Sequence, residues 1–123
     1  MIRNLLLVGL GGGLGSMARY LCQKWLNTGM AGHFPLGTFA VNIVGCLAIG
    51  ILWGISFKSF DSNEHWKMFL MVGLCGGFTT FSAFTLEGIG LLRENRVSIF
   101  FLYMAGSVIT GLLATWLGMR LIR

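Results

Sequence analysis

Polar residues interrupt this chain in only a few places. Between them lie four almost unbroken apolar runs, at about residues 5–22, 36–57, 68–92 and 97–118. Each is long enough to cross ~30 Å of hydrocarbon as a helix of about 20 residues. Backbone amides and carbonyls find no partner in lipid, so a spanning segment must satisfy them itself, which a helix does. The pattern therefore predicts an all-α membrane protein, with four transmembrane helices filling residues 1–123 as a single domain. Nearly all the hydrophilic residues fall in the connections "QKWLNTGMAGHF", "KSFDSNEHWK" and "RENR". Tyr20, Trp25, Trp53, Trp66 and Trp116 stand near the ends of the runs, where aromatic side chains favour the membrane boundary.

Composition strengthens this reading. Of the 123 residues 55% are hydrophobic and only 11% charged, too few to coat a soluble domain, which carries roughly 25% charged residues. Mean hydropathy is +0.79. The net charge of +5 comes from basic residues placed singly or in pairs at the ends of apolar runs. That placement suits a membrane interface and excludes a nucleic-acid surface, which needs a clustered patch. Cys22, Cys46 and Cys75 are odd in number, far apart and embedded in apolar sequence, so they read as packing residues.

The opening run "NLLLVGLGGGLGSMARYL" offers a competing reading. Gly13, Gly15 and Ala18 meet the G-x-G-x-x-G/A spacing of a dinucleotide-binding turn. Such a site needs an acidic residue about 20 positions further on, and the first acid in the chain is Asp61. No alternation of strands and amphipathic helices follows either. Glycines four apart, Gly9/Gly13 and Gly11/Gly15, instead provide a smooth helix face for close packing. A secretory signal is also disfavoured. Arg3 precedes the run and Ser16-Met17-Ala18 resembles a cleavage site, but three further spans follow.

Positive charge does not orient the chain. With four spans, Arg3, Lys58, Lys67, Arg120 and Arg123 share one side, and Arg19, Lys24, Arg93 and Arg96 the other, five against four of the nine basic residues. Either a residue near the start decides the orientation, or the chain inserts both ways and pairs antiparallel.

The third run, "WKMFLMVGLCGGFTTFSAFTLEGIGLL", is the least regular. Gly76-Gly77 and Thr79-Thr80 disfavour a continuous helix near its middle. A break at that depth frees carbonyls, which are good ligands for a hard cation. Phe78, Phe81 and Phe84 recur at intervals of three, with Thr79, Ser82 and Thr85 one step behind. Other polar residues lie inside the spans: Asn42 in the second, and Tyr103, Ser107, Thr110 and Thr115 in the fourth. Tyr103, Ser107 and Thr110 fall on one helical face. Such a ladder of neutral donors suits an anion that binds weakly and moves on. Glu87 enters the membrane near the end of the third span and Arg19 closes the first; both are candidates for an aqueous mouth. His33, His65, Asp61, Glu64 and Glu94 form no catalytic constellation, so the chain does not read as an enzyme.

The segments "GGGLGSMARY", "GTFAVNIVG" and "GGFTTFSAF" followed by Glu87 resemble, in that order, the CrcB or Fluc family of bacterial fluoride channels. The resemblance implies an antiparallel, dual-topology homodimer in the bacterial inner membrane. Two fluoride pores would run along the subunit interface, with one structural sodium ion at the centre. Backbone carbonyls of Gly76 and Thr79 from each subunit would hold the sodium. Phe81 and Phe84 would turn ring edges to fluoride, and Asn42, Ser82, Tyr103, Ser107 and Thr110 would supply polar contacts. Arg19 and Glu87 would lie near the pore ends. The implied activity is passive export of cytoplasmic fluoride, conferring resistance to it. One departure stands out: where the family track often has a hydroxyl four residues after the position of Ser107, this chain has Gly111.

The alternative is a small dual-topology, proton-coupled multidrug transporter. That mechanism needs a carboxylate deep in the membrane, and the first span holds none.

Overall fold

The protein is described by a computed structural model that covers residues 1–26, 34–58 and 65–122. His33, Asp61, Glu64 and Arg123, named above, lie outside the described residues. Every regular element among the described residues is helical. Helix α1 runs Ile2–Leu26 and α2 runs Leu36–Lys58. The third span has two pieces. Its first piece, α3, is π-helical over Lys67–Cys75 and α-helical over Gly76–Phe78; its second, α4, runs Ser82–Arg93. Helix α5 runs Val97–Leu121. Among the described residues four segments are long and apolar enough to cross a membrane, the third counted across its break.

The helices pair by backbone approach. Helix α1 packs chiefly on α3, and α2 on α5. In the first pair Gly11 and Gly15 lie directly against the Phe69 and Leu74 carbonyls, where any Cβ would collide. Small residues at such a crossing let dispersion and close contact replace the hydrophobic drive that lipid cannot supply. Gly9 and Gly13 do not share this surface: a Cβ at either would meet nothing within 4 Å. The four glycines therefore form two faces of α1, because residues two apart point about 200° apart around a helix.

Helices α4 and α5 are joined by a tight turn at Glu94, Asn95 and Arg96. Asn95 takes φ 60°, the left-handed region that asparagine tolerates better than most residues. The Arg96 amide donates back to the Leu91 carbonyl at 2.8 Å and the Asn95 amide to Leu92 at 3.1 Å, closing the end of α4. Near the far end of α5, the Arg120 guanidinium lies 5.2 Å from the centroid of Trp116, at the depth where aromatic and basic groups share an interface.

The break falls just after the glycines. Gly76 is helical, with φ −63° and ψ −38°, whereas Thr79 turns to φ −86° and ψ 161°. Helical geometry resumes at Phe81, with φ −90° and ψ −35°. Gly77 is needed for packing, since a Cβ there would meet the Gly12 carbonyl of α1. The unwound residues are thus the β-branched pair Thr79-Thr80, and the glycine pair before them stays helical.

Candidate anion path and carbonyl site

Unwinding at bilayer depth leaves peptide groups that must find new partners. Neighbouring side chains provide most of them. Arg19 of α1 donates its Nε–H to the Gly77 carbonyl at 3.1 Å. Asn42 of α2 grips the Thr80 peptide from both sides, accepting its N–H on Oδ1 at 2.8 Å and donating Nδ2–H to its carbonyl at 3.1 Å. Thr79 remains tied to the end of α3, with both its N–H and its hydroxyl donating to the Cys75 carbonyl at 3.1 Å. The Thr80 hydroxyl accepts the Ala83 N–H at 3.2 Å, capping α4.

Two cavities flank the break. One, of about 190 Å³, is lined by Asn42, Gly45, Met71, Cys75, Gly76 and Thr79 among others. The described residues contain no cluster of three or more His, Cys, Asp or Glu side chains, so a cation here would rely on carbonyl oxygens. The other, of about 260 Å³, is lined by Asn42, Thr79, Thr80, Phe81, Phe84, Ser107 and Val108. Its rings lie side by side, with the Phe81 and Phe84 centroids 5.9 Å apart at an interplanar angle of 41°. The Ser107 hydroxyl is buried and has no hydrogen-bond partner among the described residues.

Beyond the rings a polar chain links four helices. Gln23 of α1 donates to the Thr38 hydroxyl at 2.9 Å; Thr38 of α2 donates to Glu87 Oε2 at 2.8 Å; Tyr103 of α5 donates to Glu87 Oε1 at 2.9 Å. Thr38 and Tyr103 are fully buried. Phe84 bridges the two regions, its ring centroid 5.0 Å from that of Tyr103. Glu87, on α4, is thus held by two hydroxyls.

The structure brings most of the candidate residues into one region. Asn42, Phe81, Phe84 and Ser107 line the 260 Å³ cavity, and Tyr103 adjoins it through Phe84. Thr110 is not among its lining residues, and Ser82 is exposed, with its Oγ 3.4 Å from the Thr80 hydroxyl. Arg19 reaches the break and is tied to its backbone. Gly111, where the family track often has a hydroxyl, is buried, and a Cβ there would sit 3.4 Å from Cys46 Sγ, at van der Waals contact with α2.

Sequence reasoning missed Gln23, Thr38 and Thr80 as members of this region. Thr38 had a legible signal: it stands four residues before Asn42 and so shares its face of α2.

Comparison with known proteins agrees with the motif resemblance. Residues 6–119 match the sequence model described as CrcB-like protein, camphor resistance (CrcB). The fluoride-specific ion channel FluC of Flavobacterium psychrophilum is 47% identical over 118 residues, covering 96% of this chain and 95% of that protein. FluC of Methylobacillus flagellatus is 46% identical over 121 residues, covering 98% and 94%. FluC of Nitratidesulfovibrio vulgaris is 41% identical over 118 residues, covering 96% and 95%. With its four spans and these bacterial relatives, the chain is a multi-pass membrane protein and belongs to the CrcB family.

Proposed function

We propose that the protein is a fluoride-selective passive channel, working as an antiparallel pair of identical subunits with a structural sodium ion between them. The observation that carries the reading is Ser107, a buried hydroxyl with no partner among the described residues, on a cavity that Phe81, Phe84 and the Asn42 amide also line. A buried polar group left unsatisfied costs about 1–3 kcal/mol. Such a donor is well explained if an anion accepts its proton in passing.

The chemistry suits fluoride. This small ion holds its water tightly, so a pore must return much of the lost solvation. Ring edges carry partial positive charge, and Phe81 and Phe84 can offer it without a full charge that would trap the ion. Neither Lys nor Arg lines the cavity. Ser107 donates from its hydroxyl, and Asn42 Nδ2 has a second hydrogen beyond the one given to Thr80. The hydroxyls of Thr38 and Tyr103 spend their single protons on Glu87, so the donors open to an anion beside the rings are those of Ser107 and Asn42. A membrane potential of 100 mV supplies ~2.3 kcal/mol per charge to drive an anion out.

The carbonyl groups at the break fit a hard monovalent cation. In a continuous helix the Thr80 N–H would serve the Gly76 carbonyl and the Ala83 N–H the Thr79 carbonyl; both amides are used elsewhere. Gly76 and Thr79 line the 190 Å³ cavity, and a Cβ at Gly76 would meet nothing within 4 Å. That open face leaves space for the same two carbonyls of a second copy. Bound there, sodium would join two subunits and lend positive potential to both anion paths. The near-even division of basic residues between the two sides supports pairing in opposite orientations.

The deciding experiment is anion efflux from liposomes containing the purified protein. Fluoride should leave while chloride stays; equal rates for both, or no fluoride release, would overturn the reading.

A further inference from the structure

The side chain of Asn42 is spent mainly on the backbone of the third span. Its amide lies along the Thr80 peptide and makes two bonds to it, 2.8 and 3.1 Å long, as an adjacent backbone peptide would. The first of these takes the one N–H that would otherwise close on the Gly76 carbonyl. The second holds the Thr80 residue in place, and its hydroxyl in turn takes the Ala83 N–H that would close on Thr79. Asn42 and Thr79 also line both cavities, so they stand in the wall between them.

We propose that Asn42 is a positioning residue for the cation site: by clamping the Thr80 peptide it keeps the Gly76 and Thr79 carbonyls free for a hard monovalent ion. The proposal rests on the cation reading above and extends it. One side chain then has two duties on opposite sides of one wall. It holds the carbonyl site through its bonds to Thr80, and it offers its remaining N–H to the ring-lined cavity. Loss of the clamp lets the Thr80 amide return to Gly76 and the third span rewind.

The two duties separate in two substitutions. Asn42→Asp keeps an acceptor for the Thr80 amide but adds negative charge beside the anion path. Asn42→Ala removes the clamp altogether. The readout is the melting temperature of the full-length protein in detergent, titrated with sodium chloride against N-methylglucamine chloride at constant ionic strength. Wild type should gain stability as sodium rises, because an ion bound only by the folded state stabilises it. Asn42→Asp should keep that gain and lose fluoride efflux; Asn42→Ala should lose both. A full sodium-dependent gain in Asn42→Ala would overturn the proposal, since Asn42 would then serve the anion path alone. A wild type indifferent to sodium would remove the cation site itself, a separate failure. If Asn42→Ala does not fold, deuterium exchange on wild type decides: sodium should slow exchange across residues 76–85. A sodium-stabilised protein with unchanged exchange there would place the cation elsewhere and overturn the proposal.

Discussion

Tyr103 and Glu87 are joined by a 2.9 Å hydrogen bond from α5 to α4, and the second oxygen of the same carboxylate is taken by Thr38 of α2. Removing one partner of a buried hydrogen bond costs about 1–3 kcal/mol. Tyr103→Phe and Thr38→Val should therefore each lower unfolding stability by about that much. The double substitution should depart from the sum, because both donors serve one acceptor. Denaturant or thermal unfolding in detergent measures this. Unchanged stability in both single variants would mean the carboxylate is not held there.

Ser107→Ala should separate conduction from folding. The hydroxyl has no partner among the described residues, so its removal should leave stability unchanged or raise it by up to about 1 kcal/mol. Fluoride efflux should fall about tenfold or more, the effect of one lost bond of about 1.4 kcal/mol. A large drop in melting temperature would show instead that Ser107 is structural.

Phe81 is 76% exposed in the single chain, so Phe81→Ile removes little packing within the subunit. Its melting temperature should stay close to wild type while fluoride efflux drops sharply, because isoleucine has no positive ring edge to offer. Wild-type efflux would take Phe81 off the anion path.

The two faces of α1 should respond differently to a methyl group. Gly15→Ala drives a Cβ into the Leu74 carbonyl and should cost about 1–3 kcal/mol, as overpacking does. Gly13→Ala meets open space within the chain and gains helix propensity, so it should fold as well as wild type. Yields of monodisperse protein by size-exclusion chromatography would rank the two.

Topology is tested by a reporter fused to the C-terminus. Antiparallel pairing requires signal on both sides of the membrane, and signal on one side alone would refute it.

The spans were legible because lipid imposes one rule on the backbone, and unbroken apolar runs of about 20 residues meet it as helices. The interruption of the third was legible too, from Gly76-Gly77 and Thr79-Thr80. Its placement was not. Gly77 stays helical against α1, information that sits in Gly12 and not in the third run. The rings and Ser107 were readable from spacing within single helices. The Gln23, Thr38 and Glu87 chain joins residues from three helices, and no local pattern encodes which distant carboxylate a buried threonine will meet.

The bond from Arg19 to the Gly77 carbonyl spans 58 positions of sequence. During synthesis the first span is made long before its partner exists. Until residue 77 arrives, the guanidinium has water or headgroups as its only acceptors, so α1 must remain near the interface at that end. Its final seat becomes available only when the third span has entered and unwound. The seat of the first helix is therefore completed only once the third span has been made.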